Sequence, residues 1–152
     1  MSDTRAPGAV PALVLRRTYA APRQRVFDAW TKPELAIRFL GPGDVTISEV
    51  QMDVRTGGSY TVVMLMPDGE RLNVGGTYRE VRPTERLCMT WRWEEDNPED
   101  EYDTLLTLEF NELDGGTELI LTHEQFASAE SRDRHEEGWT QIVDQLAPVL
   151  ES

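Results

Sequence analysis

One pattern constrains the fold of this chain more than any other. A run of short β-type segments, separated by tight-turn signals, is followed by a single long helical segment near the C-terminal end. Pro67-Asp68-Gly69-Glu70 is a strong hairpin signal, because proline presets φ and Asp-Gly supplies the turn chemistry. Arg82-Pro83-Thr84-Glu85, Gly57-Gly58 and Asp114-Gly115-Gly116 mark further turns. Between the turns, six segments read as strands: Val45 to Val54 (long enough to carry a bulge), Tyr60 to Met66, Asn73 to Val81, Leu87 to Trp93, Thr104 to Phe110 and Thr117 to Glu124. In the fourth, Leu87, Met89, Trp91 and Trp93 alternate with Cys88, Thr90 and Arg92, as on a two-faced strand.

An antiparallel meander with one apolar face needs a cover. Ser131 to Leu150 is the only segment long enough to provide one. Ser131 is placed to cap it, and Asp133, Glu136 and Glu137 lie toward the positive end of its dipole. Trp139, Ile142, Val143 and Leu146 run along one side, and Pro148 marks a fraying last turn. At the other end, Leu13 to Ala20 reads as a first strand. Pro22 then opens a short helix with Val26, Phe27 and Trp30 on one stripe. Pro33 stops that helix and starts another, whose apolar face is Leu35, Ala36 and Phe39, and Gly41-Pro42-Gly43 ends it.

The expected class is therefore α+β. A curved antiparallel sheet of about six to seven strands carries two short helices after the first strand and a long C-terminal helix over the sheet. Residues 13–152 form one domain, and residues 1–12, rich in Ala, Pro and Gly, form a flexible arm. A curved sheet gripping a helix leaves a gap between them, and such gaps are common ligand sites.

Composition narrows the function. The net charge of −13 disfavours nucleic acid and anionic membranes, because a phosphate surface needs a basic face. No apolar run reaches the roughly 18–20 residues of a spanning helix, and the start lacks the basic-then-apolar pattern of a secretory signal. Cys88 is the only cysteine, so an intrachain disulfide and a Cys-based zinc site are excluded, and a reducing cytoplasm is expected. The acidic stretch Glu94 to Asp103 lacks the ligand spacing of a calcium loop and reads as a solvated loop. No phosphate-cradling glycine loop and no G-x-S-x-G turn is present. His135, among Glu136 and Glu137 in the polar first turns of the last helix, is expected to be exposed and to form no metal site. No cofactor and no metal are expected.

Several segments together resemble a known family. Residues 21–35 (APRQRVFDAWTKPEL) look like the opening of START-like helix-grip proteins of the SRPBCC superfamily, the Bet v-like fold. More narrowly, they resemble the branch named after the activator of the heat-shock-chaperone ATPase. Gly57-Gly58-Ser59-Tyr60, Pro67-Asp68-Gly69, Leu87-Cys88-Met89-Thr90-Trp91, Leu121-Thr122-His123-Glu124 and Glu137-Gly138-Trp139 agree in order and spacing. Many relatives carry two tryptophans where this chain has Phe39-Leu40. The resemblance implies a helix-grip fold and a cavity rather than one reaction, because such proteins include ligand binders, lipid carriers, cyclases and chaperone cofactors.

Strand parity selects the side chains expected to face the gap. These are Tyr60, Val62 and Met64 on one strand, Tyr78 on the next, and Met89, Trp91 and Trp93 on the fourth. Leu106, Leu108, Leu121 and His123 follow on the last two strands, with Trp139 and Val143 on the helix. Each of these also fits plain core packing. His123 is the one imidazole on an otherwise apolar face. It needs a hydrogen-bond partner, and Tyr, Thr and backbone groups suit a structural role, whereas Tyr60, Tyr78 or Glu80 suit an acid–base one. The leading expectation is a binding protein for a small hydrophobic or amphipathic molecule, as a monomer or homodimer. The alternatives are a cyclase- or hydrolase-type enzyme using His123, and a chaperone-activator-like interaction module.

Overall fold

The computed structural model describes residues 10–97 and 101–151. Most of the expected flexible arm, residues 1–9, lies outside the described residues, as do 98–100 in the acidic loop. Residues 10–12 are held: Val10 packs on the core, and the Arg132 guanidinium donates to the carbonyls of Pro11 and Ala12.

Turn chemistry sets the strands. Asp114 and Gly115 both adopt positive φ (49° and 83°), the backbone of the tight hairpin between strands β6 (Thr104–Leu113) and β7 (Gly116–Glu124). Asp68 Oδ1 accepts from the Glu70 amide in the turn joining β3 (Ser59–Leu65) to β4 (Arg71–Arg82). With β1 (Leu13–Tyr19), β2 (Thr46–Met52) and β5 (Arg86–Trp93), they form one seven-stranded antiparallel sheet in the order β1-β7-β6-β5-β4-β3-β2. β2 to β7 are a meander, and β1 joins beside β7. The bulge expected in β2 falls between Ile47 and Glu49, and a second interrupts β4 against β5 between Tyr78 and Glu80. Such bulges add twist, and the sheet curls into a half-barrel.

Helices α1 (Arg23–Thr31) and α2 (Pro33–Ala36) pack beside the concave face, and α3 (Ala129–Glu151) crosses it. Two details of α3 differ from the sequence reading. Its cap is Ser128, whose Oγ accepts from the Ser131 amide, so Ser131 lies inside the first turn. The helix also continues through Pro148 to Glu151 instead of fraying. Leu150 is buried in the core, and Arg25 donates to its carbonyl at 2.7 Å, which pins the last turn. Among the described residues, no helix is long and apolar enough to cross a membrane.

The two halves of α3 do different work. Val143, Leu146 and Leu150 are buried against the sheet, and the Tyr19 hydroxyl donates to the Val143 carbonyl at 2.7 Å. Nearer its start, the helix face lies over the mouth of the half-barrel.

Candidate ligand-binding groove

That mouth is a groove of about 720 Å³, within the roughly 300–1,000 Å³ typical of small-molecule sites. On the helix side its wall is Ser131, Arg134, His135, Gly138, Trp139 and Ile142, which share one face at helical spacing. On the sheet side it is Met64, Met66, Leu72, Trp91 and Trp93. Pro42, Val45, Glu94, Glu95, Tyr102 and Thr104 are also in its lining.

Of the side chains expected to face the gap, the structure brings Met64, Trp91, Trp93 and Trp139 to the groove. Tyr60, Val62, Tyr78, Met89, Leu106, Leu108, Leu121, His123 and Val143 are buried in the core and do not line it. The division follows position along the half-barrel, because strand parity distinguishes inner from outer face but not floor from mouth. Thr104, Ser131 and His135 line the groove without having been singled out as contacts. For Ser131 and His135 a signal existed: stepping back four and eight residues from Trp139 along the helix lands on both.

His135 is accordingly not exposed but half-buried. Its Nδ1–H donates to the Ser131 carbonyl at 2.7 Å, leaving Nε2 to accept from the Trp93 indole at 2.8 Å. His123 lies behind it in the core, with the two rings 5.0 Å apart and Phe126 against both. Trp139 Nε1 can only donate, so the 2.9 Å bond to His123 Nδ1 makes that nitrogen the acceptor. Nε2 then carries the proton and donates to Thr104 Oγ1 at 2.6 Å, and the Thr104 hydroxyl donates onward to the Trp91 carbonyl at 2.8 Å. The partner is thus a threonine, not Tyr60, Tyr78 or Glu80. Tyr60 donates to the Thr90 carbonyl, and Glu80 pairs with Arg86.

Burial, seconded by the nearby His135, pushes the His123 imidazole from its ordinary 6.5 down to about 2. Burial also lowers His135, against the opposing effect of its bond to the Ser131 carbonyl. Both rings are neutral near pH 7, and all four ring nitrogens are engaged. The arrangement orients Trp93 and Trp139 and leaves neither imidazole a free lone pair for proton transfer or metal ligation. Among the described residues, no group of three or more His, Cys, Asp or Glu is placed to hold a metal ion. Among the described residues, the indole N–H groups of Trp30 and Trp91 are buried without an acceptor.

A half-barrel closed by a C-terminal helix, with an apolar groove at its mouth, defines the helix-grip class of the START-like SRPBCC superfamily. Within that class, the chain belongs to the Activator of Hsp90 ATPase homolog 1-like (AHSA1) family, whose model matches residues 20–151. Among solved structures it is similar to protein CV1439 from Chromobacterium violaceum, at 28% identity over 93% of this chain and 99% of that one, with a TM-score of 0.82. The AHSA1 protein from Silicibacter pomeroyi aligns at 27% identity over 93% and 98%, with a TM-score of 0.80. CalU16 from Micromonospora echinospora aligns at 25% identity over 91% of this chain and 75% of that one, with a TM-score of 0.71. No curated protein matches the chain by sequence at a significant level.

Proposed function

We propose that the groove binds a small, largely apolar molecule, and that the protein is a carrier or sensor of it. The observation that carries this reading is the groove itself. Met66, Leu72 and Trp93 keep part of their apolar surface open on the groove, over a floor formed by the buried Met64, Trp91, Trp139 and Ile142. Large apolar side chains around unfilled volume forgo contacts that a ligand would restore. Methionine adapts to varied shapes, which suits a permissive wall. The single free thiol, buried Cys88, supports the cytoplasm as the compartment.

An acid–base role for His123 is less favoured, because its nitrogens are committed to Trp139 and Thr104 and its charged form is strongly disfavoured. The activator role in the family's name rests on that name alone. Native mass spectrometry of the purified chain is expected to show a retained small molecule. A saturating ligand at about 100 times its Kd adds about 2.7 kcal/mol of stability, which at this chain length raises Tm by about 5–10 °C. If no mass is retained and no Tm shift appears across lipids, polycyclic aromatics and sterols, the groove is not a ligand site.

A further inference from the structure

The described glycines divide sharply by what the backbone demands. Gly43, Gly57, Gly69 and Gly115 have positive φ, which only glycine adopts freely. At Gly41, Gly58, Gly75, Gly76 and Gly116 an added Cβ would lie 2.0–2.5 Å from a backbone oxygen, so a side chain is sterically excluded. Gly138 belongs to neither group. It lies in the interior of α3 without positive φ, and an added Cβ would meet only the Pro42 ring, at 3.8 Å, an ordinary contact. Glycine inside a helix lowers its stability relative to alanine. Here neither conformation nor packing requires that loss.

What Gly138 does is leave the groove wall bare. Gly138 and Pro42 both line the groove, so a side chain at position 138 would project between helix and loop into the open space. Trp93, half-buried in the same lining and edge-on to Trp91 with ring centroids 5.8 Å apart, supplies aromatic surface in that groove. Resting on the groove reading above, we propose that Gly138 is a size-selecting residue. Its missing side chain admits the broad part of the ligand, a ring-bearing apolar body rather than a single alkyl chain, against the exposed backbone of α3.

Two substitutions test this, with binding read through quenching of tryptophan emission. The fused-ring probe N-phenyl-1-naphthylamine is expected to bind the wild type, to lose at least fivefold in affinity in Gly138→Ala, and to lose at least twentyfold in Gly138→Leu. The slim-chain probe cis-parinaric acid is expected either not to bind the wild type or to lose less than twofold in Gly138→Ala. Gly138→Ala is also expected to raise Tm by about 2–4 °C, the shift that the helix preference for alanine gives at this chain length. A wild type that binds neither probe would overturn the groove reading and this inference together. Binding of the fused-ring probe that survives Gly138→Leu, or equal losses for the two probes, would overturn the inference alone. So would a lower Tm in Gly138→Ala, which would show that the fold itself needs the glycine.

Discussion

The two histidines show how one residue's environment decides its chemistry. Each accepts a hydrogen bond from a tryptophan that lines the groove, so the two rings take opposite tautomers: the proton is on Nε2 in His123 and on Nδ1 in His135. Protonating either ring would turn an indole N–H toward another N–H. Unfolding restores both imidazoles to about 6.5. Below that pH, the unfolded chain therefore takes up protons that the folded chain refuses, and stability falls as pH falls. Above it neither state is protonated, and this contribution is constant. For His123 the loss continues as pH drops toward its folded value of about 2. Urea denaturation between pH 7 and pH 5 is expected to show stability falling with pH, on the order of 1 kcal/mol per pH unit from His123 once the pH is below about 6, with His135 adding a fall in the same direction. His135→Gln, whose side-chain carbonyl can still accept from Trp93, is expected to reduce the slope to the His123 contribution. A stability that stays flat over this range would mean that both rings ionise in the native protein.

At the scale of elements, the groove depends on how α3 is tied to the loop after α2. Gln145 does most of this: its Nε2 donates to the carbonyls of Phe39 and Gly41, at 3.1 and 2.8 Å, and its Oε1 accepts from the Gly43 amide at 3.0 Å. Pro42, in the groove lining, sits between the two glycines that this clamp holds. Gln145→Leu keeps the side-chain size but strands three backbone groups. Because the site is partly open to water, the expected cost is about 1 kcal/mol rather than the full penalty of buried orphans. The local effect is larger: hydrogen exchange at Gly43 should accelerate well beyond the global change, and ligand affinity should fall with it. Exchange at Gly43 unchanged from wild type would show that the loop holds its place without Gln145. The sequence carried no sign of this clamp. Gln145 is an ordinary polar residue on a helical wheel, and its partners are backbone atoms more than a hundred positions away. The helix start was misplaced for a related reason: Ser131 has the chemistry of a cap, but the bond from its own amide to Ser128 Oγ puts the cap three residues earlier.

At the scale of the whole molecule, strand order and the covering helix were legible because their causes are local. Proline and Asp-Gly turns fix hairpins, alternation fixes faces, and one long amphipathic segment has one place to go. The site was legible only as far as parity reaches. Leu121 and Trp91 both face inward, yet only Trp91 reaches the mouth, and that depends on the curl of the sheet, which no single strand encodes. The charge balance is a further global property with its own consequence. Acids outnumber bases 28 to 15, and the paired arginines, such as Arg17 with Asp144 and Arg92 with Asp103, form partly exposed ion pairs. Such pairs contribute about 0–1 kcal/mol each, and salt weakens them. The remaining carboxylates repel one another over the longer distances that salt screens most effectively, since the Debye length shrinks from about 30 Å at roughly 0.01 M to about 8 Å at roughly 0.15 M. Folding gathers that excess negative charge into a smaller volume, so screening favours the folded state. Raising NaCl over this range at pH 7.5 is therefore expected to raise Tm by a few degrees. A Tm that falls would show that the surface ion pairs outweigh the repulsion among the unpaired acids.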